Sequence, residues 1–176
     1  MCDFKVVNIK VSAKISSICY QDLISSVQHL ICKERLNFIV IFDVYTYTIF
    51  RPNAVTGYLH CNVTKIKTYS DISEAFTVLQ SLLPSINIIE QSIDNITLKG
   101  ETDMKQNLEN LFLKLCTSHE VKYNLQKFPA LFIRVPFQEG GVTIFVFASG
   151  KICSVGSKSL AQVEKISEWV ENYINK

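Results

Sequence analysis

Residues 142 to 159 read Val142-Thr143-Ile144-Phe145-Val146-Phe147-Ala148-Ser149-Gly150-Lys151-Ile152-Cys153-Ser154-Val155-Gly156-Ser157-Lys158-Ser159. The first six form a strand by their β-branched and aromatic content, and the Gly150-Lys151 turn sends the chain back as another strand over Lys151 to Val155. On the first strand Val142, Ile144 and Val146 point one way, and Thr143, Phe145 and Phe147 the other. Both faces are therefore largely apolar. An antiparallel sheet usually hides one face under helices and leaves the other polar, so two Phe on the second face mean either a second buried layer or a surface kept apolar for a partner.

Working outward from this hairpin, the rest of the second half supplies the missing layers. Pro129 to Phe137 reads as the preceding strand, separated by the turn signal Gln138-Glu139-Gly140-Gly141. Leu160, Val163, Ile166, Val170 and Ile174 mark a final helix. Upstream, Ile86 to Lys99 reads as a strand, followed by a helix from about Asp103 with Leu108, Leu111, Phe112 and Leu115 on one stripe and Thr102 as its cap.

The first half repeats this order. Phe4 to Ile15 is a strand, and Tyr20, Leu23, Ile24, Val27, Leu30 and Ile31 recur at helical spacing. Leu36 to Arg51 is rich in β-branched and aromatic residues, Pro52-Asn53 makes a turn, Val55 to Lys67 gives one or two more strands, and a helix runs from about Asp71 to Leu83. Asn8 and Asn87 each lie just inside the first strand of their half, 79 positions apart. The expected division is residues 1–84 and 85–176, two short halves joined in one α+β sheet with all helices on one side. With four helices on one face and nothing in the sequence to cover the other, the face bearing Phe145 and Phe147 must meet solvent, another chain or a ligand.

Composition sets bounds on the function. The chain has 176 residues, 48% of them hydrophobic, enough for a real core in one domain or two small fused ones. Eighteen basic against sixteen acidic residues leave +2, too little for a protein held to nucleic acid by charge alone. Cys2, Cys19, Cys32, Cys61, Cys116 and Cys153 form neither a Cys-x-x-Cys pair nor a zinc spacing, and Met1-Cys2-Asp3-Phe4-Lys5 carries no apolar secretory segment. A reduced, intracellular protein is expected, in which the sequons at Asn62 and Asn95 carry no sugar. No apolar run is long enough to cross a bilayer as a helix.

Catalytic constellations are missing. Gly150 and Gly156-Ser157-Lys158 have the wrong spacing and order for a phosphate loop. His29, His60 and His119 fall in a helix, a strand and a loop, with no nucleophile elbow or zinc-protease motif around them. Glu168 and Glu171 read as a solvated helix face. No enzyme is expected, and no cofactor, metal or small-molecule substrate.

Lys127-Phe128-Pro129-Ala130-Leu131-Phe132-Ile133-Arg134 resembles the Phe-Pro-x-Leu-x-x-Arg strand of the TATA-box-binding protein family. Ile144 to Lys158, with its Phe-x-Ser-Gly-Lys and Gly-x-Lys elements, resembles the two strands that follow it in that family. Val6-Val7-Asn8-Ile9 stands at the place of the family's Gln-Asn-Ile-Val strand. The resemblance implies a saddle of two pseudo-symmetric repeats, a continuous curved antiparallel sheet with helices on the convex face and the minor groove of AT-rich promoter DNA on the concave one. It implies Phe128 and Phe147 as a wedge pair, Phe145 as their apolar neighbour, and Cys153 and Val155 as groove-floor contacts. Arg134, Lys151 and Lys158 fall at basic positions near phosphates, Asn8 and Asn87 at the central asparagines, and Lys10 where a small apolar groove residue is usual.

Implied partners are AT-rich double-stranded DNA and other transcription initiation factors or RNA polymerase subunits, in a nucleus or at a cytoplasmic site of viral transcription. Divergence of this degree suggests a large DNA virus or a fast-evolving eukaryote as source. The first half lacks Phe-Pro-x-Leu and Ser-Gly-Lys: Leu36-Asn37-Phe38 stands where its wedge strand begins, and either Phe50 or Leu59 takes the second wedge position. Tyr123-Asn124-Leu125-Gln126-Lys127 has none of the acidic residues through which the family meets transcription factor IIB. Two classes of function follow: a promoter-binding initiation factor, or a protein-interaction module of a transcription complex whose DNA binding is lost or depends on a partner.

Overall fold

A computed structural model describes residues 4–16, 19–30, 32–52, 57–102 and 105–175. Its element order is β1 (Lys5–Ile15), α1 (Tyr20–Val27), β2 (Cys32–Arg35), β3 (Phe38–Phe42), β4 (Thr46–Phe50), β5 (Leu59–Ile66) and α2 (Ser70–Leu82), then β6 (Ile88–Glu101), α3 (Leu108–Leu115), β7 (Glu120–Tyr123), β8 (Ala130–Val135), β9 (Val142–Phe147), β10 (Lys151–Ser157) and α4 (Leu160–Tyr173). One strand-helix-four strands-helix series thus occurs twice, and the strands hydrogen-bond in the order β2-β3-β4-β5-β1-β6-β10-β9-β8-β7. The class is α+β with antiparallel pairing. By compactness the chain divides into one unit of Asn8–Asp94 and another of Met1–Val7 with Asn95–Lys176, so β1 and β6 each pass from one unit to the other.

In the Asn8–Asp94 unit, strict alternation buries Ile39, Ile41, Tyr47, Ile49, Leu59, Cys61, Val63, Ile9, Val11, Ala13 and Ile15 on one sheet face. Leu23 and Val27 of α1 and Ala75, Phe76 and Leu79 of α2 are buried with them. Each fully buried side chain of this size contributes about 1.5–3 kcal/mol. The Tyr47 hydroxyl donates to the Ala75 carbonyl of α2 at 2.8 Å, a polar link inside the core.

The Asn95–Lys176 unit repeats the plan with Leu131, Ile133, Val135, Val142, Ile144, Val146, Ile152, Ile96 and Leu98 on the buried sheet face. Leu108, Leu111 and Leu115 of α3 and Ile166, Trp169 and Val170 of α4 are buried too. Side chains cap both helices: Asn107 Oδ1 accepts from Asn110 N at 3.0 Å, and Ser159 Oγ from Gln162 N at 3.2 Å. Helix α1 has no such bond at Cys19, while ahead of α2 Thr68 Oγ1 accepts from Asp71 N at 3.3 Å.

The structure corrects several sequence expectations. Thr102 does not cap α3: it is buried, and both its N–H and its hydroxyl donate to the Gly150 carbonyl, at 2.9 and 3.1 Å. Helix α3 begins at Leu108 instead, with Asn107 as cap, while the expected start at Asp103 lies outside the described residues, as do Asn53 and Val55. Strands β2 and β7 were not expected, since Lys33, Glu34 and Arg35, or Glu120 and Lys122, show no apolar period. They sit at the two ends of the strand order, where backbone pairing with a single neighbour suffices and charged side chains are tolerated.

Candidate nucleic-acid interface

Opposite the buried face of each unit lies a sheet face whose residues stay half-buried or exposed, here called the open face. In the Asn95–Lys176 unit, the cross-strand register puts Phe132 beside Phe145, Phe145 beside Cys153, and Cys153 beside Lys99, one row across four strands. The next row holds Arg134, Thr143 and Val155. Phe147, two positions along β9 from Phe145, points the same way.

Phe128 joins these rings from outside the sheet. The turn before it is closed by Asn124, whose carbonyl accepts from both Lys127 N and Phe128 N at 3.0 Å. The Phe128 ring then lies 5.1 Å from Phe132, 6.2 Å from Phe145 and 6.1 Å from Phe147, and Phe132 and Phe145 are 4.8 Å apart. These tilted and edge-to-face spacings favour aromatic pairing by about 0.5–1.5 kcal/mol a pair. Phe128 nonetheless remains 39% exposed, so the cluster presents an apolar surface.

Basic groups lie around the rings. Arg134 Nη1 donates to Thr143 Oγ1 at 3.1 Å, and Gly141 leaves room for the guanidinium, since a Cβ there would come within 2.6 Å of Arg134 Nε. Lys151 and Lys158 are exposed, Lys151 beyond the Gly150 turn and Lys158 just after β10. Gly150 has φ of 90° and donates to the Phe147 carbonyl at 2.9 Å, closing that hairpin. Burial pushes the Cys153 thiol pKa up against the smaller opposing pull of Lys99.

Asn8 lies within β1 as expected, and Asn87 falls outside β6. Asn8 Oδ1 accepts from the backbone N–H of Lys65 at 3.1 Å, where Lys65 has φ of 70° beside a register shift between β1 and β5. The counterpart of this arrangement is Asn95: its Oδ1 accepts from Gly156 N at 2.5 Å, Gly156 has φ of 104°, and the β10–β6 register shifts there. Asn87 lies just before β6 and is exposed, tied to Ser16 through its backbone N–H and carbonyl. Asn95, like Phe132, was not among the sequence candidates. Its signal was the apolar alternation after the asparagine, shared by Asn8-Ile9-Lys10-Val11 and Asn95-Ile96-Thr97-Leu98 and missing from Asn87-Ile88-Ile89-Glu90.

Matching Ile9 to Ile96 through these registers compares the open faces position by position. Phe50 takes the place of Phe147, Thr48 that of Phe145, Val40 that of Phe132, Asn62 that of Cys153 and Thr64 that of Val155. Phe38 corresponds to Ala130, so Leu36, two residues earlier, corresponds to Phe128; Leu36 is 79% exposed. Of the two alternatives for the second wedge position, Leu59 is fully buried on the helix side, and Phe50 lies on the open face 5.8 Å from Phe38. Lys10, in Thr97's place, pairs with Asp94 at 3.2 Å.

Residues 90–176 match the family model of transcription factor TFIID, or TATA-binding protein, TBP. The second half of the chain is TBP-like. It is 31% identical over 77 residues to the TATA-box-binding protein of Thermococcus celer, a stretch covering 44% of this chain and 38% of that relative's length. Its fold is that of Methanococcus jannaschii TBP, with a TM-score of 0.77, 22% identity and 98% of each chain covered. The matched family is one of transcription factors, not of enzymes. The match covers the half of the chain that holds the aromatic cluster. Among the described residues, no helix is long and apolar enough to cross a membrane, and no group of His, Cys, Asp or Glu could hold a metal ion.

Proposed function

We propose that this TBP-like protein is a transcription initiation factor that binds the minor groove of AT-rich promoter DNA through the open face of its Asn95–Lys176 unit and helps bring RNA polymerase to it. The observation that carries the reading is the group of four Phe rings on the open face, with Phe128 exposed. Wedging of apolar rings between base steps is the behaviour of TATA-binding proteins as a family and is taken over from it. Minor-groove edges separate AT from GC poorly by hydrogen bonds, so a protein of this kind selects by shape and by how easily a step is kinked. Phe128 and Phe147 act as the wedge pair, with Phe132, Phe145, Cys153 and Val155 behind them. Arg134, Lys151 and Lys158 meet phosphates; Asn95 meets base edges, as Asn8 does in the other unit. The chain is intracellular and arose by duplication of a unit dividing near residue 84, which the twofold element series supports.

The test is an anisotropy titration with AT-rich and GC-rich duplexes at two salt concentrations. Selective AT binding supports the reading. No binding by folded protein moves the function to the second reading, a protein-interaction module in a transcription complex. That reading draws on the net charge of only +2 and on Leu36 and Thr48, which replace Phe128 and Phe145 in the first unit.

A further inference from the structure

We propose that Asp94 restrains DNA binding by acting as an internal counter-ion to Lys10 on the open face of the Asn8–Asp94 unit. The proposal rests on the DNA-binding reading above and adds a residue that weakens it. Asp94 Oδ2 lies 3.2 Å from Lys10 Nζ, with side-chain exposures of 32% and 38% respectively. The Ser12 hydroxyl donates to the same carboxylate and sits 2.9 Å from Asn62 Oδ1. Four side chains from β1, β5 and β6 thus hold the Asp94 carboxylate against Lys10 on the open face.

The other unit has no such arrangement at the matching positions. Thr97 replaces Lys10, an exposed Lys99 replaces Ser12, and Cys153 replaces Asn62. One open face therefore offers a cation where the other offers a neutralised pair. A half-exposed ion pair is worth about 0–1 kcal/mol, so it can open, but until it does Lys10 releases no counter-ion from DNA and Asp94 repels the backbone. Asparagine at 94 keeps an acceptor for Ser12 and removes the charge.

The experiment measures binding of an AT-rich duplex between 50 and 200 mM salt for wild type, Asp94→Asn, Asp94→Asn with Lys10→Ala, and Glu164→Gln on α4 as a charge control. We expect Asp94→Asn to bind several-fold tighter at low salt. Its slope of log K against log salt steepens by about 0.9, which makes the fall in affinity over that range about threefold larger. Adding Lys10→Ala removes the steepening, and Glu164→Gln changes neither quantity. Wild type and Asp94→Asn binding alike would overturn the role of Asp94 and leave the DNA reading standing. Tighter binding by Asp94→Asn that persists without Lys10 would overturn the counter-ion assignment. Folded proteins that all fail to bind would overturn both readings. Where Asp94→Asn does not melt cooperatively, Asp94→Ser carries the same test.

Discussion

The two units have matching cores and differ on their open faces. Tyr47, Ile49, Cys61 and Val63 in one correspond to Ile144, Val146, Ile152 and Ser154 in the other, all of them buried. On the opposite side Phe128, Phe132 and Phe145 become Leu36, Val40 and Thr48, and the Lys10–Asp94 pair appears where the second unit has Thr97. A core tolerates change only where volume and polarity are kept, whereas an open face changes freely unless something binds it. The second unit carries an aromatic face; the first has the same fold and little of that face.

The largest effects should fall on the part the units share. Ile49→Ala and Ile133→Ala should each lower stability by about 2–5 kcal/mol in chemical denaturation, because both side chains are fully buried. A loss confined to one unit would break the claim that the cores are equivalent. Next come the faces: Phe147→Ala should cost about 1–3 kcal/mol of DNA affinity, and Phe50→Ala clearly less. Equal losses would mean that both faces hold DNA in the same way.

Smaller effects sharpen the comparison. Ser159→Ala should destabilise by about 1 kcal/mol through loss of the α4 cap. Cys19→Ser, at the uncapped start of α1, should be neutral or stabilising in the same melting experiment. Cys61, which corresponds to Ile152, has its thiol pKa pushed up to about 12 by burial. Because the folded value is raised, its contribution is complete below the ordinary thiol value of about 8.5 and is lost as pH rises above that. Stability should therefore fall at alkaline pH, and Cys61→Val should flatten that fall.

Most of this architecture was legible in the residues. Alternation fixed β9 at the bounds expected, Val142–Phe147, and helical spacing found α4 from Leu160 onward. What escaped was set by contacts outside any local pattern. Strands β2 and β7 form by backbone pairing at the ends of the order, which leaves little apolar signal. Phe132 sits in the unbroken apolar run Leu131-Phe132-Ile133, where composition does not say which side faces out. Spacing between elements points to Asn87 because it does not fix register; the register shifts beside Lys65 and Gly156 do, and they point to Asn95. Thr102 and Asn107 are both good caps in sequence, and only the buried Gly150 carbonyl shows that Thr102 is engaged elsewhere.

The most direct test of an unequal pair of faces is base unstacking, read by 2-aminopurine placed at either end of an AT-rich duplex, with wild type, Phe147→Ala and Phe50→Ala. The account predicts strong unstacking at one end, abolished by Phe147→Ala and retained by Phe50→Ala. Equal unstacking at both ends, or a signal indifferent to Phe147, would contradict it.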